Sequence, residues 1–222
     1  MLASSAKPFL PSPINIIDVG CHRSHWKDDL VKEFQVGYSI GIDPCNYGVG
    51  LRYSKFYQVA IINGSNQKLP FNEYIEPGCN SLLKMKTDSV VHNRSLPGWY
   101  VAWAIETKTN EYLVDCISLN QVISETPEVL PIHYIKIDTQ GTDLEVVKSL
   151  GDYLKDVHFI QIEAVSSHDR DITLYEGQNL MEDDISWMES AGFKVMKIQD
   201  YSLSASPEAD ILFYNRKLYE NI

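Results

Sequence analysis

Four short apolar runs in this sequence carry a carboxylate at or just past their ends, and that pattern leaves few architectures open. Residues 14–19 (INIIDV) carry Asp18, residues 38–42 (YSIGI) are followed by Asp43 and Pro44, residues 132–137 run into Asp138, and residues 157–164 hold Glu163. Apolar runs of this length, bounded by turn residues, are strands buried on both faces. Between them the apolar period changes to that of a helix. Trp26, Leu30, Val31 and Phe34 share one face after Ser24, which serves as an N-cap. Leu144, Val146, Val147, Leu150 and Leu154 mark a second helix over residues 143–154, and residues 180–191 form a third, stopped by Gly192. Further strands are expected at residues 56–62, 99–105 and 112–117. Residues 193–198 and 209–214 finish the chain as strands able to pair antiparallel across a loop holding Pro207.

Strands alternating with helices predict an α/β fold: a Rossmann-like, mostly parallel sheet with helices on both faces and an antiparallel C-terminal strand. The 222 residues are read as a single domain, 1–222, with an elaboration at about 64–127 where Gly, Asn, Pro and Ser break the periodicity. The 19 basic residues against 30 acidic ones give a formal charge of −11, with no basic cluster, which argues against a nucleic-acid partner. No apolar run reaches the roughly 18 residues of a membrane span. The proline-interrupted N-terminus has no long apolar core, so neither signal peptide nor anchor is expected. Cys21, Cys45, Cys79 and Cys116 form no CxxC pair and are read as free thiols of a reducing, cytoplasmic compartment.

Right-handed crossovers bring the carboxyl ends of parallel strands to one edge, where ligands bind. Asp18, Asp43, Asp138 and Glu163 are therefore expected along a single rim. Each alone is also ordinary turn chemistry. Gathered together, like charges cost stability unless a ligand or cation uses them. Asp43 ends the second strand, about 20 residues beyond Gly20, the spacing at which an acid accepts hydrogen bonds from ribose hydroxyls. A dinucleotide site needs three glycines. Here Gly20 is followed by Cys21-His22-Arg23-Ser24 with no further glycine. A single-glycine turn suits a nucleoside cofactor without phosphate, S-adenosylmethionine rather than NAD.

The stretch Ile132-His133-Tyr134-Ile135-Lys136-Ile137-Asp138-Thr139-Gln140-Gly141-Thr142-Asp143-Leu144 resembles the strand-to-helix signature of the FkbM family of S-adenosylmethionine-dependent methyltransferases, with Asp143 where the family usually has Glu. Ile17-Asp18-Val19-Gly20, Gly41-Ile42-Asp43-Pro44, residues 114–120, residues 159–163 and Asp210-Ile211-Leu212-Phe213 resemble further family segments in the family's order. The resemblance implies a class I methyltransferase fold and O-methylation, often of a sugar hydroxyl. It also implies cofactor contacts from Asp18, Gly20, His22, Asp43, Pro44, Gln140 and Ser81, although Ser81 reads equally as a turn residue. The first motif departs from the family, with His22 in place of Asn and Ser24 in place of Gly.

Methyl transfer to an alcohol is an in-line displacement that needs alignment and a base. The expected acceptor is a small molecule or glycan. The base candidates are Asp138, Glu163 and His168. Asp138 and Glu163, with Asp143, could instead hold Mg²⁺; Asp143 also suits the first turn of its helix. His22 and His25 form no two-His metal face, since only His25 falls on the helix. A nicotinamide-dependent oxidoreductase on the same sheet and a catalytically silent nucleoside-binding module are the alternatives.

Overall fold

The computed structural model describes residues 2–23, 25–48, 50–86, 107–166, 173–201 and 208–219. The expected N-cap Ser24, the strand at 99–105, Pro207 and His168 lie outside them. Among the described residues are ten strands: β1 (Ile14–Val19), β2 (Val36–Ile42), β3 (Lys55–Tyr57), β4 (Ala60–Ile61), β5 (Gln67–Tyr74), β6 (Lys108–Ile117), β7 (Tyr134–Ile137), β8 (Phe159–Val165), β9 (Phe193–Asp200) and β10 (Glu208–Asn215). The α-helices among them are α1 (His25–Glu33), α2 (Leu119–Glu125), α3 (Asp143–Lys148) and α4 (Met181–Ser190). None of the described helices is long and apolar enough to cross a membrane.

Seven strands form one sheet in the order β3-β2-β1-β7-β8-β10-β9. All neighbours are parallel except β10, which runs antiparallel to both β8 and β9. Strand alternation sends Ile17, Val19, Ile135, Ile137, Ile160 and Ile162 into a core with α2, α3 and α4. The opposite face sends Ile14, Ile16, Tyr134 and Phe159 against Leu30 and Phe34 at α1 and the N-terminal turn of Leu2 and Ala3. Both faces are covered, so the central strands read as continuous apolar runs.

Three elements differ from the sequence expectation. The third strand, expected at 56–62, is two strands in two sheets. β3 pairs with β2, after which the chain leaves the main sheet and β4 pairs in parallel with β6. β5 was not anticipated. It pairs antiparallel with β6 at the edge of the small sheet β4-β6-β5, an edge position that tolerates Pro70. The helix expected over 143–154 stops at Lys148. Ser149 turns its hydroxyl back to the Val146 carbonyl at 2.7 Å, and Gly151 takes φ 54° ahead of a 3₁₀ segment, Gly151–Asp156.

Candidate functional site

Strand order reverses direction at β1 and β7, so the loops leaving these strands diverge and open a crevice. The backbone at this point is very close. Asp138 N–H donates to the Val19 carbonyl at 3.0 Å. Gly20 has φ +72°, and a Cβ there would stand 1.8 Å from the Asp138 carbonyl oxygen. Only glycine lets the β1 and β7 loops meet. The crevice deepens into a cleft of about 750 Å³, part of it open to solvent. Its floor holds Gly20, His22, Asp43 and Pro44, and Asp138 and Gln140 stand on one side. The small sheet and its turn form an apolar roof from Val59, Ala60, Ile61, Phe71 and Leu82.

Asp43 stitches two loops together. Its Oδ2 accepts the His22 N–H and its Oδ1 the Cys45 N–H, both at 2.8 Å. Burial pushes its carboxyl up to about 6, against the pull of those two donors and with further push from Asp18 and Asp138. His22 takes φ 39° and sets its ring edge-on to Tyr47, centroids 4.5 Å apart.

Behind the cleft lies a buried polar network on the α1 face of the sheet. Asp18, Lys136 and Gln161 occupy one rung across β1, β7 and β8, in register. Lys136, 8% exposed, places its ammonium 2.7 Å from Asp138 Oδ2. Burial works against that ammonium, but Asp138, Asp18 and Asp210 hold its pKa above the ordinary value. Asp138 is likewise opposed by burial, yet the Lys136 charge and hydrogen bonds from Lys136 and Gln140 hold it below the usual carboxylate range. Glu163 is the reverse case: burial, then the charge of Asp138, pushes it well above that range. Within the pair Asp138 is the one that holds its charge more readily than an ordinary carboxyl, and Glu163 the one that holds a proton more readily. Gln140 spans them, donating from Nε2 to Asp138 Oδ1 at 3.0 Å and to Glu163 Oε2 at 2.7 Å.

Gly20, His22, Asp43, Pro44, Asp138 and Gln140 are thus brought to one cleft. Asp18 and Ser81 do not line the cleft and stand behind it. Asp18 is 1% exposed, accepts the Tyr53 hydroxyl at 2.5 Å and is pushed up to about 6 by burial. Ser81 is also 1% exposed; its hydroxyl donates to the Gln140 carbonyl at 2.7 Å and accepts the Leu83 N–H at 3.0 Å, so it braces the loop. Glu163 faces a smaller hollow on the far side of Gln140, with Asp143, Gln178 and Asp184. The expected base His168 lies outside the described residues. Asp143 accepts the Thr139 and Gly141 N–H groups at 3.3 and 3.2 Å and is pushed up to about 7 by burial and by Asp138. Sequence reasoning missed Tyr53, Tyr47 and Tyr175, which reach the site from irregular segments where no period marks them.

The donor set does not fit Mg²⁺. Lys136 already neutralises Asp138, Glu163 accepts from the Gln140 amide, and Asp143 is turned to backbone N–H groups. No group of three or more His, Cys, Asp or Glu side chains among the described residues is arranged to hold a metal. The cleft does suit a nucleoside. One carboxylate at its floor can take paired hydroxyls, and the apolar roof can cover a base.

The family model described as "Methyltransferase FkbM domain" matches residues 29–195. No curated protein matches the sequence. Among solved structures, the chain is similar to Burkholderia thailandensis 1,6-didemethyltoxoflavin-N1-methyltransferase with bound 1,6-didemethyltoxoflavin and S-adenosylhomocysteine. The identity is 8%, the TM-score 0.47, and 96% of this chain and 76% of that one are covered. It is similar also to the plantazolicin methyltransferase BpumL in complex with SAH (11% identity, TM-score 0.44, 96% and 80% covered). The [4+2]-cyclase SpnF matches at 9% identity and TM-score 0.47, with 96% and 78% covered.

Proposed function

The chain belongs to the FkbM methyltransferase family, and from that premise we propose that it transfers the methyl group of S-adenosylmethionine to a hydroxyl oxygen of a sugar or glycan. The observation that supports this reading best is the pairing of two carboxylates across one cleft. Asp43 lies at its floor where a ribose would be gripped, and an ionised Asp138 faces the same space.

Each residue then has a task. Asp43 still has lone pairs beyond those used by His22 and Cys45, and with them accepts hydrogen bonds from the two ribose hydroxyls. The Gly20 turn brings backbone close to the cofactor, and Ile61, Phe71 and Leu82 exclude water from its base. The donor supplies its methyl as a sulfonium, already activated. Asp138 accepts the hydrogen bond of the acceptor hydroxyl and turns an oxygen lone pair along the line of attack, the alignment on which most of the acceleration depends. Lys136 and Gln140 keep Asp138 charged. They also make it a weak base, so it takes the hydroxyl proton only as the new O–C bond forms. Glu163 faces the smaller hollow and accepts from Gln140, so it holds that amide rather than the acceptor.

The test is radiolabel transfer. Tritiated methyl from S-adenosylmethionine is offered to a panel of methyl glycosides and, separately, to a panel of amines, alongside calorimetry with S-adenosylhomocysteine. Label in a glycoside is expected. Label in amines alone would remove the oxygen acceptor and leave the methyltransferase. No S-adenosylhomocysteine binding at millimolar concentration would sink the reading.

A further inference from the structure

Tyr175 follows β8 in the chain and is fully buried, yet its hydroxyl ends in the β7 loop, 35 residues away in sequence. The phenolic oxygen lies 3.0 Å from Gln140 Oε1 and 2.8 Å from the Cys79 carbonyl oxygen. Burial holds the phenol neutral, its pKa well above the ordinary value, so it is a donor whose single proton is shared between two acceptors.

The surroundings hold this contact in place. Gln178 Oε1 accepts the N–H groups of Leu174 and Tyr175 at 2.9 and 3.2 Å, fixing the backbone that carries the ring. Gly141, at φ +98°, leaves room for that ring; a Cβ there would lie 3.3 Å from Tyr175 Cδ2. Gln140 itself sits in the left-handed region at φ 56°. It is held at its main-chain carbonyl by Ser81 and at its side-chain oxygen by Tyr175.

An amide has two ends of nearly equal size and opposite hydrogen-bonding character. Beside two carboxyl groups, one of which holds its proton more readily than the other, either end could find a partner. The charged Asp138 calls for the Nε2 donor, and the Tyr175 hydroxyl, donating to Oε1, holds the far end of the amide in that orientation. We propose that Tyr175 is a positioning residue of the methyl-transfer site, fixing through the Gln140 amide the orientation of the Asp138 carboxylate at the cleft; the proposal rests on the methyltransferase reading above. Asp138 is thereby held from two sides, by Lys136 on Oδ2 and by Gln140 on Oδ1.

Tyr175→Phe keeps the ring and removes the donor. The first readout needs no ligand: the Gln140 side-chain amide in ¹⁵N-labelled protein, assigned against Gln140→Leu. It is expected to exchange slowly with water in the native chain and about tenfold faster in Tyr175→Phe. Turnover on the methyl glycoside that the acceptor panel returns is expected to fall about tenfold or more, with KM for it and the S-adenosylhomocysteine Kd both within about twofold of the native chain. Because Tyr175 acts through Gln140, adding Tyr175→Phe to Gln140→Leu should cost nothing further. Losses that add, or an unchanged amide and turnover in Tyr175→Phe, overturn the proposal. So does a native-chain amide that exchanges like an exposed glutamine, whether or not Tyr175→Phe folds. If the native chain binds no S-adenosylhomocysteine, the methyltransferase reading falls and the role falls with it, while slow amide exchange would still report the clamp.

Discussion

Asp43 is pulled in opposite directions: two backbone N–H groups favour its charge and burial disfavours it, and the balance is a carboxyl that titrates near 6. A protonated Asp43 loses half its acceptor capacity, so S-adenosylhomocysteine affinity should hold at pH 7–8 and weaken as pH falls through about 6, as read by calorimetry across that range. Asp43→Ala removes the acceptor altogether. With a charged hydrogen bond contributing about 1.5–3 kcal/mol, the expected weakening is on the order of 10–100-fold, and affinity within about twofold of native would discount the contact. Lys136 faces the converse demand, as the cation shared by Asp18, Asp138 and Asp210. Lys136→Met leaves those acids uncompensated. A loss of about 3 kcal/mol in urea unfolding is expected, the lower end for a broken buried pair because the Asp138 side chain retains 32% exposure.

At the scale of elements, α2 shows how short helices depend on their ends. It has seven residues, too few to persist by propensity. It is fixed by Ser118, whose hydroxyl accepts the Gln121 N–H at 3.1 Å, and by Leu119, Val122 and Ile123, all fully buried in the main core. Ser118→Ala should cost about 1 kcal/mol of stability with little effect on cofactor binding, since the cap lies away from the cleft. A drop in affinity larger than the drop in stability would mean that α2 carries the roof of the cleft more directly than its contacts indicate.

The whole molecule stores buried acids. Asp143 and Asp184 are pushed up to about 7, and Asp18 and Asp43 to about 6, in every case chiefly by burial. An acid whose folded pKa exceeds its unfolded value keeps its proton longer in the folded state. Its destabilising contribution is absent below the unfolded pKa and complete above the folded one. Two histidines act in the other direction at lower pH. His133 is lowered to about 4 by burial and His158, and His158 is lowered by burial, so they withdraw stability below about pH 6.5. Between those regimes the buried acids act, and they favour the lower pH. The thermal midpoint should therefore be higher at pH 6.5 than at pH 8, and a midpoint that rises with pH over this window would contradict the buried-acid inventory. Optimum stability and full cofactor affinity are separated in pH as a result, because the charged Asp43 that binds is also the form that burial destabilises.

The sequence by itself determined the central architecture. β1 and β7 to β10 announce themselves as short apolar runs bounded by turn residues, a pattern that is local and survives without neighbours. It also placed Asp43 and Asp138 at strand ends and Gly20 at the turn between β1 and α1. The tertiary structure alone decided what each acid does. Asp18, Asp138 and Glu163 look alike along the chain. Yet Tyr53 covers the first, Lys136 keeps the second charged, and burial beside that charge raises the pKa of the third. Neither the break between β3 and β4 nor the reach of Tyr175 to Gln140 leaves a local trace, because both depend on contacts made across the sheet rather than along the chain. Electrostatic roles are set by distance and dielectric, and those exist only once the loops have met.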